Sequence, residues 1–567
     1  MDSAILVADL ERGYEQGEED KEMSEHVLLG DEALALGAIH AGISVAYAYP
    51  GTPSTEITEY IMEYSKREGA PKALWCSNEK TALEEGLGVS LVGKRALVSM
   101  KHVGLNVAAD PFMNAALLDI KGGLVLAVAD DPGMHSSQNE QDSRYYAEFG
   151  RVPCLEPRNQ QEAYDMVMRA FEVSEQFHIP VMVRLVTRLA HSRAVVRAVE
   201  TPREENPLEK AEDPKGWMLL PAYARKQNDK LIALQKKIFD WSAHCGFNDL
   251  KPNEEFREFG VITTGVARNY YEENLKDLPV KPSHLHIASY PVPPGIITSF
   301  ASGLKRIVIL EEGYPFVEGY LRGLLPQNLE IHGKKNGKVP ASGELNPDNI
   351  RLALGLSSLE SLKREGLKKL PEMELPPRPP QLCRGCPHVD SFQLLNEALA
   401  SYEKSIVTSD IGCYALGALP PYQSIETIVC MGASVSMAKG SAEAGFSPVV
   451  AVIGDSTFLH SGITPLIDAV TSKAAMTLLI LDNSTVAMTG GQTTMLPTAK
   501  IKEVVRGTGV EEAHIREIEP LKKNWDENLK AMKEEIEYSG VSVIMSVREC
   551  IESAKKRKKR ESQEAEA

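Results

Sequence analysis

The sequence predicts an α/β protein built from three doubly wound domains. Three observations predict it. Short β-rich apolar runs alternate with helix-like segments along most of the chain, the pattern of parallel sheets covered by helices on both faces. A charged connector and a proline-rich connector interrupt that alternation and separate three blocks. The length, 567 residues, suits three or four domains.

The blocks follow in order. Residues 1–25 are acidic and poor in apolar side chains, as in a disordered extension and unlike a secretory signal. Residues 26–200 form the first block, with buried strands expected at 44–49, 95–100, 124–129 and 180–186. Residues 159–176 carry apolar side chains at helical spacing. Residues 201–255 read as a linker: 201–217 is charged and holds three prolines, and 231–240 looks helical. The second block, 256–368, has strands expected at 261–264, 285–288 and 306–310. A proline-rich linker, 369–382, leads to the third block, 383–550, whose clearest strands are 449–453 and 477–481. The last stretch, 551–567, contains six consecutive basic residues at 555–560 and then a glutamate-rich end, which reads as a disordered charged tail.

Composition narrows the class. Hydrophobic residues are 43% and charged residues 25%, ordinary for a soluble globular protein. A net charge of −17 argues against a nucleic-acid or anionic-membrane surface. No apolar run approaches the roughly 18 residues that cross a bilayer. Eight cysteines scattered over the chain make no disulfide framework, so reduced thiols in the cytoplasm are expected.

The sharpest local signal lies in the third block. An apolar, β-branched strand at 449–453 ends in Gly454-Asp455-Ser456. A helix-like segment and the strand 477–481 follow, and Asp482-Asn483 closes the unit. In a β-α-β arrangement both polar motifs emerge on one sheet edge, where open α/β sheets bind ligands. The chemistry suits a magnesium diphosphate. Asp455 offers an anionic oxygen and Asn483 an amide oxygen, the hard ligands that magnesium takes. Gly454 permits close backbone approach, and Ser456 with N–H groups at a helix start can receive phosphate. The plain alternative is a surface turn after each strand.

The unit resembles the thiamine diphosphate motif, with Ser456 where that motif has a second glycine and Asp482 where it has a first asparagine. The resemblance implies Asp455, Asn483 and the Thr485 carbonyl as metal ligands, and Ser456 and Thr457 as diphosphate contacts. Thiamine diphosphate also needs a carboxyl group against its aminopyrimidine ring to promote proton loss. Glu79 fits: it follows the short run 73–76 and opens a helix, sharing one face with Ala82 and Gly86. Alone, Glu79 reads as an ordinary helix-start acid, and Glu84 and Glu85 are rivals.

Further motifs extend the likeness. The first block carries Tyr49-Pro50-Gly51-Thr52-Pro53-Ser54 and Met100-Lys101-His102-Val103-Gly104-Leu105-Asn106. The third carries Cys383-Arg384-Gly385-Cys386-Pro387-His388, Ser409-Asp410-Ile411-Gly412-Cys413, Met431-Gly432-Ala433-Ser434 and Thr489-Gly490-Gly491-Gln492. In this order the chain resembles the large (alpha) subunit of indolepyruvate:ferredoxin oxidoreductase over about residues 26–550. The resemblance implies pyrimidine-binding, transketolase C-terminal-like and diphosphate-binding domains. It implies oxidative decarboxylation of an arylpyruvate, coenzyme A as acyl acceptor, ferredoxin as electron acceptor, and a smaller beta subunit as partner. Thr52 then becomes a candidate for the substrate carboxylate, or a turn residue between two prolines. His102 and His388 become candidates for substrate orientation or proton relay, or structural hydrogen-bonding residues.

The family ordinarily continues into a segment with repeated Cys-x-x-Cys runs that hold [4Fe-4S] clusters. No such run occurs here, and the last cysteine is Cys550. The expectation is that the clusters sit on a partner, either ferredoxin or a small cluster-bearing subunit. Cys383 and Cys386 are spaced like half a metal site, but Cys413 and Cys430 are single, so four ligands would need tertiary convergence. Cys386 is read instead as part of a loop on the cofactor side, and Cys76, Cys154 and Cys245 as structural. Three competing readings are a non-oxidative thiamine-dependent 2-oxoacid decarboxylase, a non-catalytic subunit that keeps the fold, and a metal module on Cys383 and Cys386.

Overall fold

The computed structural model describes residues 23–211, 213–358 and 380–566. The expected 1–25 extension and 369–382 linker fall mostly outside the described residues. The chain divides into two compact units, Met1–Leu367 and Lys368–Ala567.

In the first unit a seven-stranded sheet runs from Ser289–Tyr290 through Cys154–Leu155, Val181–Val186, Leu124–Asp130, Ala96–Lys101 and Val45–Ala48 to Lys72–Trp75. All pair in parallel except Ser289–Tyr290, which is antiparallel at the edge. The central strands read as unbroken apolar runs because both faces are covered: every residue of Leu124–Asp130 and Val181–Val186 is buried. The helix Gln160–Phe177 starts where Asn159 caps the Glu162 N–H at 2.9 Å.

One point in this sheet matters for function. From Val45–Ala48 the chain moves to Lys72–Trp75 on one side. Ala96–Lys101 lies on the other side and leads on to Leu124–Asp130. The strand order therefore reverses between Val45–Ala48 and Ala96–Lys101. A crevice opens at the carboxyl ends of two such strands, because their connections leave in opposite directions.

The first unit also holds the strands that the sequence set apart as a second domain. They form a five-stranded sheet ordered Glu330–His332, Arg306–Leu310, Gly260–Thr264, Ser283–Ile287 and Asp249–Lys251. Two features tie it to the first sheet. The edge strand Ser289–Tyr290 pairs with Cys154–Leu155. A buried ionic network also bridges them. Arg184 donates to Asp130 Oδ2 at 2.6 Å and to Glu156 Oε1 at 2.5 Å. Arg144 donates to Asp142 and to the Glu312 carbonyl at 2.8 Å, and pairs with Glu311 at 3.2 Å. These side chains are at most 3% exposed. Breaking one member leaves an uncompensated buried charge, which costs about 3–5 kcal/mol. Arg184→Met is therefore expected to lower stability by that amount in urea unfolding. A loss below about 1 kcal/mol would mean that the network is not held together by charge.

The linker region is more ordered than its composition suggested. A 24-residue helix, Pro221–His244, replaces the short one expected at 231–240. Proline is tolerated in its first turn, and Leu231, Ile238 and Trp241 are buried.

The second unit contains a five-stranded, all-parallel sheet ordered Ile406–Thr408, Val449–Gly454, Met476–Asp482, Val541–Val547 and Ile515–Ile518. Gly454 lies opposite Leu481, so the segments after these two strands emerge side by side. The stretch expected to be a disordered tail is instead the helix Ile551–Glu566. Its charges are offset locally, Lys555 by Glu552 at 2.7 Å and Arg557 by Glu549 at 3.0 Å and Glu561 at 3.1 Å. Lys556 donates to the Gly490 carbonyl at 2.8 Å, which anchors the helix on its own unit. Among the described residues no helix is long and apolar enough to cross a membrane.

Candidate active site

In the first unit, the sequence-predicted residues gather at the reversal crevice. Thr52 lies in the loop after Val45–Ala48, a turn closed by the Ser54 hydroxyl on the Gly51 carbonyl (2.7 Å) and by the Gly51 N–H on Thr55 Oγ1 (3.0 Å). Glu79 opens the helix Glu79–Leu91, capped by Asn78, whose side chain accepts from the Thr81 N–H at 2.8 Å. Its carboxylate is buried against the backbone of the segment that carries His102. A methyl group on Gly104 would sit 2.6 Å from Glu79 Oε1, so only glycine leaves room there. The rivals are exposed: Glu84 pairs with Lys80, and Glu85 accepts from the Cys76 thiol. Burial thus separates Glu79 from its neighbours.

His102 is 1% exposed and donates from Nε2 to the Asn139 carbonyl at 3.1 Å. Its Nδ1 is buried with no hydrogen-bond partner among the described residues. Sequence reasoning gave no role to Lys101, whose ammonium lies in the same crevice and donates to the Ser136 carbonyl at 3.0 Å.

In the second unit, the Gly454-Asp455-Ser456 and Asp482-Asn483 motifs emerge next to each other at the sheet's carboxyl edge. A Cβ on Gly454 would meet the Tyr414 ring at 2.6 Å. Asp455 is buried and accepts from Thr494 Oγ1 at 2.6 Å, and Thr494 shares a 2.9 Å bond with the Ser456 hydroxyl. Burial raises the Asp455 pKa from 3.8 to about 7; the Thr494 hydrogen bond opposes that rise and the Asp482 carboxylate adds to it. Asp482 Oδ2 is itself buried without a hydrogen-bond partner among the described residues. Asn483 Oδ1 accepts from the Thr485 N–H at 3.0 Å, and its Nδ2 donates to His388 Nε2 at 3.2 Å. Burial pulls the His388 pKa down to about 4, so the ring is neutral at pH 7 and can accept that bond. Thr485 donates to the Gln492 carbonyl at 3.0 Å and Thr457 to the Ile411 carbonyl at 3.0 Å. Both hydroxyls therefore brace loops.

This donor set fits magnesium. Two buried carboxylates repel each other across a shell that also holds an amide, and one carboxylate oxygen has no partner. A dication removes the repulsion and satisfies that oxygen. Asp482 and Thr494 join the expected ligands in this shell; the sequence assigned them no role. Asp410 was also overlooked. It is buried and accepts from Ser434 Oγ at 2.6 Å, the Gly432 N–H at 3.1 Å and the Tyr414 hydroxyl, so it fixes the start of the helix Ala433–Glu443.

The fold adds a further observation on the cysteines. The sequence left Cys383 and Cys386 as half a site, with Cys386 on a cofactor loop. The fold brings Cys413 and Cys550 to them. Burial first, and then the neighbouring thiols Cys383 and Cys550, push Cys386 up to about 11. Burial and the thiols Cys386, Cys550 and Cys383 push Cys413 up to about 12. Cys386 and Cys413 thus lie within charge range of each other and of Cys383 and Cys550. A cationic iron centre reverses the upward push, because its ligands must be thiolates. Cys550 is tied to the diphosphate edge through its N–H to the Asn483 carbonyl at 3.1 Å.

Comparison with known proteins supports thiamine diphosphate as the cofactor. Residues 36–235 match the family described as pyruvate flavodoxin/ferredoxin oxidoreductase, thiamine diP-binding. Residues 410–546 match the C-terminal TPP-binding domain of thiamine pyrophosphate enzymes. The chain is therefore a thiamine diphosphate-dependent oxidoreductase of the 2-oxoacid class. It is 38% identical over 566 residues to the indolepyruvate oxidoreductase subunit IorA of Archaeoglobus fulgidus, covering 94% of this chain and 87% of that one. It is 38% identical over 546 residues to IorA of Methanothermobacter thermautotrophicus (93% and 87%), and 36% identical over 573 residues to IorA of Pyrococcus abyssi (94% and 86%). The chain belongs to the indolepyruvate oxidoreductase alpha-subunit (IorA) family.

Proposed function

We propose that this chain carries out the oxidative decarboxylation of arylpyruvates, forming aryl-acetyl-CoA with a beta subunit and passing electrons to ferredoxin in the cytoplasm. The observation that carries the reading is the presence in one chain of a buried helix-opening acid, Glu79, at a reversal crevice and of the Asp455–Asp482–Asn483 shell. The family description and the relatives' names support the oxidoreductase class and the partner subunit. Eight free thiols suit a reducing compartment.

Thiamine diphosphate, when bound, supplies the carbon centre that stabilises negative charge after carbon dioxide leaves. Each residue has its own task. Glu79 would hold and return a proton at the aminopyrimidine. Asp455, Asn483 and the Thr485 carbonyl would hold Mg2+, with Asp482 as a further oxygen. Gly454, Ser456 and Thr457 shape the phosphate edge. His388 orients the Asn483 amide, and Thr52 and His102 face the substrate side. Cys383, Cys386, Cys413 and Cys550 would hold a [4Fe-4S] cluster, so the electron path begins in this chain, in place of the expected cluster on a partner alone.

The decisive assay is anaerobic: arylpyruvate, coenzyme A and a viologen acceptor, with the complex of both subunits. Coupled acyl-CoA formation and viologen reduction supports the proposal. Free aldehyde as the sole product would overturn it in favour of a simple decarboxylase.

A pH test follows from Asp455. Its pKa is raised in the folded, metal-free chain, so its contribution to stability is full below about pH 4 and is lost as pH rises through about 7. Mg2+ needs the carboxylate and releases the proton. The rise in Tm on adding Mg2+ and thiamine diphosphate is expected to grow between about pH 5.5 and 7.5. It should be small and flat in Asp455→Asn. Equal pH dependence in both proteins would exclude Asp455 from the shell.

A further inference from the structure

The reversal crevice contains a cation that the functions assigned so far do not use. Ala96–Lys101 and Val45–Ala48 are adjacent parallel strands, with Ala48 beside Ser99. Lys101 ends its strand, so its side chain lies where the two connections diverge. The aliphatic stem runs over Gly51 of the Thr52 loop: a methyl group on Gly51 would lie 3.0 Å from Lys101 Cδ and 3.1 Å from Cγ. The ammonium donates to the Ser136 carbonyl, and the Ser136 hydroxyl donates to the Thr52 carbonyl at 3.1 Å. Lys101, Ser136 and Thr52 thus form one connected wall of the crevice.

Two acids face the ammonium, Asp131 and Glu79. Asp131 is already occupied. It accepts from Thr187 Oγ1 at 2.7 Å, Ser137 Oγ at 2.8 Å and the Ser136 N–H at 2.8 Å. Among the described residues Lys101 has no carboxylate at ion-pair distance, and its recorded bond goes to a backbone carbonyl. An ammonium has three donors, so two remain to be used. Burial pulls its pKa down to about 8, with Asp131 and Glu79 pulling the other way. That is the behaviour of a half-desolvated cation which a bound anion would satisfy.

We infer that Lys101, with the Thr52–Ser136 wall, forms the subsite for the carboxylate of the 2-oxoacid substrate. The inference rests on the reading of Glu79 as the cofactor acid, since that acid brings the reacting carbon to this crevice. A 2-oxoacid arrives as an anion and loses that anionic group as carbon dioxide.

The test uses the complex of both subunits and the variants Lys101→Gln and Lys101→Arg. Lys101→Gln is expected to raise KM for the arylpyruvate roughly ten- to hundredfold and to change kcat far less. Lys101→Arg should recover most of the loss. Indole-3-propionate has the carboxylate but no keto group; its Kd by calorimetry should rise in parallel, while Kd for thiamine diphosphate stays unchanged. An unchanged KM and propionate Kd with a lowered kcat would overturn the inference and leave Lys101 as a strut for the Ser136 loop. Loss of thiamine diphosphate binding would overturn it too. If the wild type turned over no arylpyruvate, the functional reading would fall, and the propionate measurement would still decide the anion subsite.

Discussion

Replacing Glu79 by glutamine is expected to lower kcat by about a hundredfold to ten-thousandfold, the usual span for losing a positioned acid–base group. Glutamine is close to isosteric, so the packing against Gly104 and the Asn78 cap persist, and Kd for thiamine diphosphate should change little. On the proposed reading, what would disappear is the carboxyl proton offered to the aminopyrimidine. Two measurements separate chemistry from folding. Deuterium exchange at the thiazolium C2 position should slow in step with kcat. Glu84→Gln and Glu85→Gln should remain within about twofold of the wild type, because both acids are exposed. A Glu79→Gln enzyme within tenfold of the wild type, or an equal loss in Glu84→Gln, would move the role elsewhere.

Why Glu79 could be chosen from sequence, and Lys101 could not, is a matter of range. Strand runs such as 124–129 and 449–453 were legible because burial on both faces demands continuous apolar side chains. Glu79, Asp455 and Asn483 could be nominated because each sits at a strand end or helix start that local pattern marks. Lys101 ends a strand just as visibly. Its partners, however, are Gly51 on a neighbouring strand's loop and Ser136 beyond the next strand, and strand order is not written locally. The same limit hid the Arg144–Arg184 network that joins the two sheets of the first unit, because it draws on residues far apart in the chain. The C-terminal helix was misread for another reason. A run of like charges suggests solvation, but here acids one turn away offset it and Lys556 finds a carbonyl on a distant loop.

Cys413→Ser and Cys550→Ser are each expected to remove most of the iron that the anaerobically reconstituted chain binds, from about four atoms per chain toward none. The argument is one of convergence. Cys386 follows Cys383 in a turn closed by its N–H on the Cys383 carbonyl at 2.9 Å. Cys413 opens a short helical turn after Ser409–Gly412, and Cys550 follows the strand Val541–Val547, whose neighbour ends in Asp482. Parallel strands deliver their following loops to one edge, so these thiols, remote in sequence, come within charge range of one another, with Cys550 bonded to the Asn483 carbonyl. Cys430 is exposed, so Cys430→Ser should keep its iron. The functional consequence is specific. With the four-thiol site broken, viologen reduction should fall by at least about a hundredfold while slow aldehyde release continues, because carbon chemistry and electron exit depend on different residues. If wild type and Cys413→Ser bound equal iron, or Cys430→Ser lost as much as Cys550→Ser, the site would not be a cluster site. Electrons would then have to leave through a partner from the first transfer onward.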